Sequence, residues 1–415
     1  MQQSESLPKT PPGGLNEFHL GWKVVLAASI GVGVGITGVN TYSLSVFLNP
    51  LTEEFGWSRT ETSAAKTFLT LGYVLTAPLI GYLADRFGPR KIGMASMIGV
   101  VIGMLAMTQM NGQIEMYYLF YFLLALAGCA TTPLVWTRGV ATWFLEKRGL
   151  ALGLTLTGSG LAGLIAPSFI GGLIDGYGWQ AGYVGMAVLA LIGIVPIYFL
   201  FFENSGSATG PAGARPNIPR SGRDVVSALK SRHFWQISIA FAFIGGAVSA
   251  LVVHLVALLT DTGISRETAV SFASLLGFAV VVGRVGTGYL VDRFHAPYVA
   301  GFFLVMPAIG CLLLAGGLTS TAVIAFAALS FGLAAGSEVD LLPYLTARYF
   351  GLKDYGKIYG WVFVLFYAGV GVGPPFLGWM FDRNGDYLSA LMIVGPVLAA
   401  GAATVAMLGR PPVFK

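Results

Sequence analysis

Charged side chains are scarce inside the apolar runs of this chain, and the few that occur there are its candidates for chemistry. Arg284 lies in such a run, two helical turns before Asp292. A charge in hydrocarbon costs about 2.5–3.5 kcal/mol on insertion scales, so it persists only when it is paired or faces water. A guanidinium offers parallel N–H donors that match a carboxylate. Arg284 is therefore the leading candidate to bind an anion, and pairing with a fixed acid on a neighbouring helix is the alternative.

Two carboxyl groups, Glu338 and Asp340, lie in another apolar run, within the sequence GSEVDLLPYL. On an α-helix they point roughly 200° apart, so both cannot face one cavity. We expect one to face a polar pathway through the protein and the other a helix interface. A buried carboxyl group can load and release a proton. The alternative is a permanent ion pair with Arg138 or Arg284.

Arg138 and His254 are candidates for gating or proton coupling. Arg138 either closes a gate by pairing with Glu338 or Asp340, or extends toward the membrane surface. His254 either titrates near neutral pH or forms a hydrogen-bonded helix interface. Lys66, two turns into the second apolar run, is expected to extend toward the membrane surface. Neutral groups that can orient an anion, or else serve in packing, come from Asn40, Tyr42, Tyr121, Tyr344 and Tyr367.

The composition places these residues in a membrane. The chain has 415 residues, of which 55% are hydrophobic and 10% charged, whereas about 25% are charged in a soluble chain. Apolar runs of about 20 residues, each long enough to cross a bilayer, recur along the chain. We predict an all-α membrane protein with twelve transmembrane helices, at roughly 22–50, 60–84, 92–110, 116–145, 149–173, 181–202, 234–260, 267–291, 297–317, 321–347, 356–380 and 387–409.

The chain is one unit used twice. GYLADRF, which begins at Gly81, returns as GYLVDRF at Gly288, and the same shift of 207 residues carries Arg59 to Arg266 and Asp175 to Asp382. Such a repeat predicts two pseudo-symmetric bundles of six helices. We place them at 22–202 and 234–409, with a linker at 203–233 that is rich in Gly, Pro, Ser and Arg, and with tails at 1–21 and 410–415.

The basic residues predict the orientation. Of the 24 Lys and Arg residues, most fall on the side that holds the repeated motif, and only Arg59, Arg266 and Arg383 fall on the other. By the positive-inside rule, the motif, the linker and both termini are then cytoplasmic. We expect a multi-pass protein of the plasma membrane, of the bacterial inner-membrane kind. The charge of +5 reads as this insertion signal, so no nucleic acid is implied. Cys129 and Cys311 are predicted to be core residues.

One stretch carries a resemblance to a known family. The loop after the second span has the full pattern Gly-x-Leu-x-Asp-Arg-x-Gly-x-Arg-Lys. With two six-helix halves and a linker, this resembles the major facilitator superfamily, which implies the fold of that family. The resemblance implies that the motif controls conformation and does not bind substrate. The residues concerned are Gly81, Asp85, Arg86, Gly88, Arg90 and Lys91, and in the second copy Gly288, Asp292 and Arg293. We expect Asp85 at the start of the third span, where the helix dipole favours a carboxylate.

Within that family the chain is similar to the monocarboxylate transporter and oxalate/formate antiporter branch. The stretches SLSVFLNPLTEEFGWSRTE, TWFLEKRGLALGLTLTGSGLAG, VGRVGTGYLVDRF and RYFGLKDYGKIYG carry this similarity. It implies a carrier of small organic anions, working with a proton or by exchange, and a substrate-binding arginine at Arg284. Two positions depart from the animal carriers, because Tyr42 stands where they have lysine and Val280 where they have aspartate.

From the sequence we therefore expect a secondary transporter and no enzyme. It carries a small organic anion by alternating access with a co-transported proton, and it works as a monomer without cofactor or metal. An anion exchanger is one alternative. A drug or metabolite exporter is another, although Gly171–Gly172 lies one residue too far from Ala166–Pro167 for the antiporter motif. A sensor with a carrier fold is disfavoured by the short tails.

Overall fold

The chain folds into long helices that are suited to crossing a membrane. A computed structural model describes residues 14–141, 143–144, 148–201, 222–291, 293–351 and 353–412, and for a few helical residues, Asp85 among them, it describes the backbone alone. Within these ranges, twelve helical segments are long and apolar enough to span a bilayer. The predicted all-helical class and the predicted number of spans are thereby confirmed.

Ten of the spans are single helices. Spans 2, 3, 5 and 6 are Arg59–Phe87, Pro89–Met107, Arg148–Tyr177 and Trp179–Leu200. Spans 7 to 12 are Arg232–Asp261, Arg266–Val291, Ala296–Ala315, Thr321–Phe350, Tyr355–Asn384 and Leu388–Ala406. A short helix, Val225–Leu229, precedes span 7.

Span 1 is broken near its middle. It consists of two α-helices, Gly14–Val34 and Thr41–Phe55, with a π-helical turn, Ile36–Asn40, between them. The break occurs at Gly35, whose backbone is extended. Four glycines at positions 31, 33, 35 and 38 weaken the helix there, since glycine loses the most conformational freedom on ordering. The sequence had predicted one continuous helix at this place.

Span 4 is broken at the same level and meets span 1 there. Helix Ile114–Gly128 passes through a 3₁₀ turn, Cys129–Thr131, before helix Pro133–Ala141 begins. Proline disfavours α-helical geometry in the residue before it, which explains a helix start at Pro133. The Oγ1 atom of Thr131 accepts the backbone N–H of Ile36 over 3.1 Å. A side chain at the break in span 4 therefore satisfies a backbone N–H at the break in span 1, as the bilayer interior requires.

The two halves pack mainly through two pairs of spans, and the repeat relates one pair to the other. Span 2 packs against span 11, and span 5 against span 8. Glycines allow the close approach in the second pair, because a Cβ on Gly277 would collide with the backbone of Gly163. Small residues let helix backbones approach closely in this way within a membrane.

The outer surface of the bundle suits a lipid environment. Ile102, Phe199 and Phe243 are each more than 60% exposed. In water such a surface would aggregate, whereas in a bilayer it meets acyl chains. Cys129 and Cys311 are buried free thiols, as predicted.

The loop of the repeated motif is tighter than predicted. Asp85 was expected at the start of span 3, but its backbone lies in the last turn of span 2, which continues to Phe87. Gly88 alone separates the two helices, with φ of 88°, and span 3 begins at Pro89. A positive φ favours glycine at this corner. Asp292 in the second copy, most of the linker and the ends of both tails lie outside the described residues.

Candidate functional site

A cavity of about 130 Å³ lies between the two halves of the bundle. The broken parts of spans 1 and 4 form one wall, through Thr37, Thr41 and Pro133, and spans 7, 8, 10 and 11 form the opposite wall. At about 30 Å³ for each water molecule, this volume suits a small solute. Its position at the interface of the repeats is where transporters of this architecture hold substrate.

Four side chains that line this cavity each carry a polar atom that forms no hydrogen bond to a described residue. Thr37 Oγ1, Tyr73 OH, Arg284 Nε and Glu338 Oε2 are all buried and have no hydrogen-bond partner among the described residues. Buried polar groups are normally paired, so each exception needs an explanation. Their gathering around one cavity indicates a site that is completed by a polar ligand.

Arg284 lines this cavity and is held by Asp340 of span 10. Its Nη1 atom donates to Oδ1 of Asp340 over 3.1 Å, and its side chain is only 8% exposed. The acid on a neighbouring helix that the sequence left open as an alternative is thus present. The pair uses one of the guanidinium's five donors. Arg284 can therefore be fixed by Asp340 and still bind an anion.

Glu338 lines the cavity, whereas Asp340 does not. The expected division between a pathway face and a helix interface is therefore seen in the geometry. Arg284 from span 8, Tyr42 from span 1 and Tyr367 from span 11 all lie within electrostatic range of the Glu338 carboxyl. Glu338 is 6% exposed, so a proton gained or lost there changes the charge of the cavity itself.

Lys66 is the site residue that sequence reasoning missed. We had expected it to extend from span 2 toward the membrane surface, and that expectation is wrong. Its side chain is 6% exposed and lines the cavity. Its ammonium donates to Oγ1 of Thr41 over 3.5 Å, and no ion pair to it is described. The one signal in the sequence was the position of Lys66 on span 2, because that span faces span 11 across the pathway.

The neutral candidates separate into two groups. Tyr42 and Tyr367 line the cavity. Tyr121 does not, because its hydroxyl is bonded to that of Tyr183 over 3.1 Å inside the first half. Tyr344 also points elsewhere and donates to the carbonyl of Val291 over 3.1 Å. Asn40 is 2% exposed and lies beside the cavity, in the π-helical turn of span 1.

The hydrogen bonds described between the halves lie toward the end of the bundle that holds Arg59 and Arg266, which we call the Arg59 end. There Asp382 accepts the backbone N–H groups of Arg59 and Thr60 over 3.0 and 2.9 Å. Asp175 accepts Nε of Arg266 over 2.5 Å. The deepest are Thr67 with Gly371 and Ser168 with Ser274. The bundle is thus closed at the Arg59 end.

The cavity lies on the other side of this closure. Arg284 follows Arg266 by eighteen residues along span 8, which is about 27 Å of helix. We call the opposite end, which holds Gly81–Lys91, the motif end. In the described geometry the Arg59 end is therefore closed, and the cavity lies between this closure and the motif end.

The gating candidates fall outside the cavity lining. His254 is fully buried, with Nδ1 2.7 Å from the Tyr387 hydroxyl and Nε2 2.9 Å from the Pro374 carbonyl oxygen. This is the hydrogen-bonded interface that the sequence allowed as an alternative. Arg138 is exposed on the last helix of span 4, and Asp340, one of its two expected partners, is bonded to Arg284.

The motif residues have contacts within their own half. Arg90 donates from Nη2 to the carbonyl oxygen of Tyr198 on span 6 over 2.5 Å. Arg86 donates to the Tyr82 hydroxyl over 3.4 Å. In the second copy, Arg293 lies 3.5 Å over the ring of Tyr289. The side chain of Asp85 is outside the described residues. Within the described ranges no group of three or more metal-ligating side chains is present.

Comparison with known proteins agrees with this architecture. The family model of the Major Facilitator Superfamily matches residues 30–361, which is most of the chain. With the twelve spans and the inter-half cavity, this establishes that the chain belongs to the major facilitator superfamily.

Among curated proteins the chain is similar to several transporters. It is 26% identical to monocarboxylate transporter 11 of Mus musculus over 95% of this chain and 88% of that protein. It is 24% identical to monocarboxylate transporter 12 of Xenopus laevis over 95% and 89%. A third relative is the MFS transporter asaE of Aspergillus flavus, 27% identical over 79% and 73%. The chain is accordingly a transporter of this superfamily.

Proposed function

We propose that this protein transports a small organic monocarboxylate across the membrane by alternating access, together with a proton. The observation that supports this most strongly is the cavity, where a buried arginine with an unsatisfied Nε faces the same space as an unpartnered carboxyl group. The names of the animal relatives agree with a monocarboxylate substrate.

Arg284 gives the site its preference for a planar anion. Asp340 holds the guanidinium from one side through Nη1, which reduces the freedom that is lost when a ligand binds. The remaining donors match the two oxygens of a carboxylate. Tyr42 and Tyr367 add neutral hydroxyl groups from the two halves.

Glu338 gives the site a means of coupling. A carboxylate ligand and an ionised Glu338 in one buried cavity repel each other, because little water screens them. Protonation of Glu338 removes this repulsion, so the anion and the proton favour each other's binding. Both can then leave on the other side of the membrane after the halves rock about the site.

Uptake into proteoliposomes tests this function. The panel consists of radiolabelled acetate, propionate, butyrate, lactate and pyruvate, each measured with and without an inward proton gradient. We expect at least one acid to accumulate above equilibrium only with the gradient. Exchange without gradient-driven accumulation indicates an anion exchanger. Outward-directed transport of neutral or cationic compounds by proton antiport, with no uptake of the acids, indicates the exporter.

A further inference from the structure

Lys66 brings a second positive charge to the cavity. Its ammonium comes from span 2 in the first half, whereas Arg284 comes from span 8 in the second half. The side chain is 6% exposed. An ammonium has three donors, and the described contact of this one is a long hydrogen bond of 3.5 Å to Thr41.

The two cations reach the cavity beside neighbouring residues of span 1. Thr41 accepts the ammonium of Lys66, and the hydroxyl of the next residue, Tyr42, interacts with Arg284. Both cations therefore approach the solute space just after the break in span 1. A single small anion in this space is exposed to both charges.

With Glu338 protonated, the charges around the cavity do not balance unless an anion is bound. Arg284 and Asp340 form a pair whose charges cancel. In the proposed transport cycle Glu338 carries the proton and is neutral when substrate is bound. Lys66 is then the one uncompensated charge among these four residues. A buried charge without a partner is strongly unfavourable, so the loaded site requires one anion.

We propose that Lys66 supplies the positive charge that draws the substrate carboxylate into the cavity, while Arg284 orients that carboxylate by hydrogen bonds. This assignment rests on the proposed carboxylate transport and names the counter-ion within it. It also limits the ligand to one net negative charge when one proton is bound. The competing role for Lys66 is structural, as a brace between spans 1 and 2 through Thr41.

The substitution Lys66→Met tests this by removing the charge and retaining an unbranched side chain. Equilibrium binding is measured on the full-length protein in detergent, for the best-bound acid of the panel and for its primary amide. We expect the affinity for the acid to fall by about 10- to 100-fold and that for the amide to change by less than about threefold. Lys357→Met serves as the control, because Lys357 is 73% exposed and pairs locally with Asp354.

A second variant tests the charge balance directly. In Lys66→Met combined with Asp340→Asn, the positive charge of Arg284 is no longer cancelled by an acid. We expect affinity for the acid to recover to within about fivefold of the unaltered protein. A structural brace between spans 1 and 2 has no reason to be restored by a change on span 10.

The outcomes separate this inference from the function on which it rests. Equal affinity for the acid with and without Lys66 overturns the inference and leaves carboxylate transport standing. An equal loss for acid and amide, without recovery in the double variant, assigns Lys66 a structural role and also overturns it. If the unaltered protein binds none of the acids, the proposed function itself is wrong.

Discussion

Arg59 and Arg266 lie 207 residues apart in the chain, and each contacts a carboxylate of the opposite half. The guanidinium of Arg59 bonds to Asp261 through Nη2 and Oδ1 over 2.9 Å, and its backbone N–H bonds to Asp382. Arg266 bonds to Asp175 and, over 2.9 Å, to the carbonyl oxygen of Val46. Asp175 and Asp382 are also related by the repeat, so repeat-related residues meet on both sides of the Arg59 end, although Arg59 contacts Asp382 through its backbone N–H and Arg266 contacts Asp175 through its guanidinium.

Weakening one of these contacts should open that end. Asp382→Asn removes the charge that accepts two backbone N–H groups at the start of span 2, where the helix dipole also favours a carboxylate. We expect a loss of about 1–2 kcal/mol from the closed state. Spin labels at Asn111→Cys and Thr319→Cys, on loops of the two halves at this end, should then report a longer distance.

Asp386→Asn is the matched control for this variant, since Asp386 is exposed at the same end and its one bond to a described residue is to the nearby backbone N–H of Leu388. It should leave the distance distribution unchanged. A distribution that is equally unaffected by Asp382→Asn would show that this contact does not hold the end closed.

Glu338→Gln should separate coupling from translocation. The amide cannot take up a proton, so accumulation driven by a proton gradient should be lost. Exchange of labelled for unlabelled acid should continue, because it needs no net proton movement. Glu115→Gln, an exposed substitution at the start of span 4, provides the control. Accumulation by Glu338→Gln with an unaltered pH dependence would place the proton elsewhere, with Asp340 as the next candidate.

The orientation of the protein can be tested away from the contacts that close the Arg59 end. The loop before span 4 lies at that end, since Trp57 Nε1 donates to the Gly112 carbonyl oxygen over 3.0 Å. An impermeant maleimide should label Asn111→Cys in intact cells. It should label Lys353→Cys, at the motif end, only after permeabilisation. The reverse pattern would contradict the orientation that the basic residues predict.

Asp85→Asn should slow transport far more than it weakens binding. The sequence motif assigns Asp85 to conformational control, and none of the motif side chains that the structure describes lines the cavity. Turnover in proteoliposomes and equilibrium binding in detergent give the two quantities. Loss of binding in a folded protein would instead place Asp85 in the substrate site.

The architecture was predictable from the sequence because it depends on the mean hydropathy of long segments and on a repeat, and not on single contacts. Apolar runs and a repeat of 207 residues are sufficient for twelve spans, and the motif at Gly81 identifies the family. The breaks in spans 1 and 4 were not predicted. Glycine-rich and proline-containing segments occur in several spans, and their composition does not show which of them leave the helical path. The contact between Thr131 and Ile36, which joins the two breaks, lies between residues 95 positions apart and has no local sequence signal.

The site was predicted less completely than the fold. Arg284 and Glu338 could be selected because charges are costly in hydrocarbon. The partner of Arg284 could not be selected, since it depends on which face of span 10 meets span 8. Lys66 was misplaced because a long side chain can extend either to the surface or to the interior, and sequence position does not decide between the two.

Asp340 also changes what an Arg284 variant should do. From the sequence, Arg284→Gln would be expected to leave expression near normal, because removing a buried charge is not costly to membrane insertion. In the structure the change strands the Asp340 carboxylate, which is costly when a buried partner is lost. Arg284→Lys retains the charge and loses the planar fork. We expect it to weaken carboxylate binding by roughly 1.5–3 kcal/mol.

The most direct test of the central claim is a binding titration of the double variant Arg284→Gln with Asp340→Asn. This variant removes both members of the pair, so the net charge of the cavity is unchanged and no acid is stranded. The ligands are the best-bound acid of the panel and its primary amide. We predict that the acid binds about 10- to 100-fold more weakly and that the amide binds as before. Acid affinity equal to that of the unaltered protein would contradict the assignment of Arg284 as the residue that holds the carboxylate.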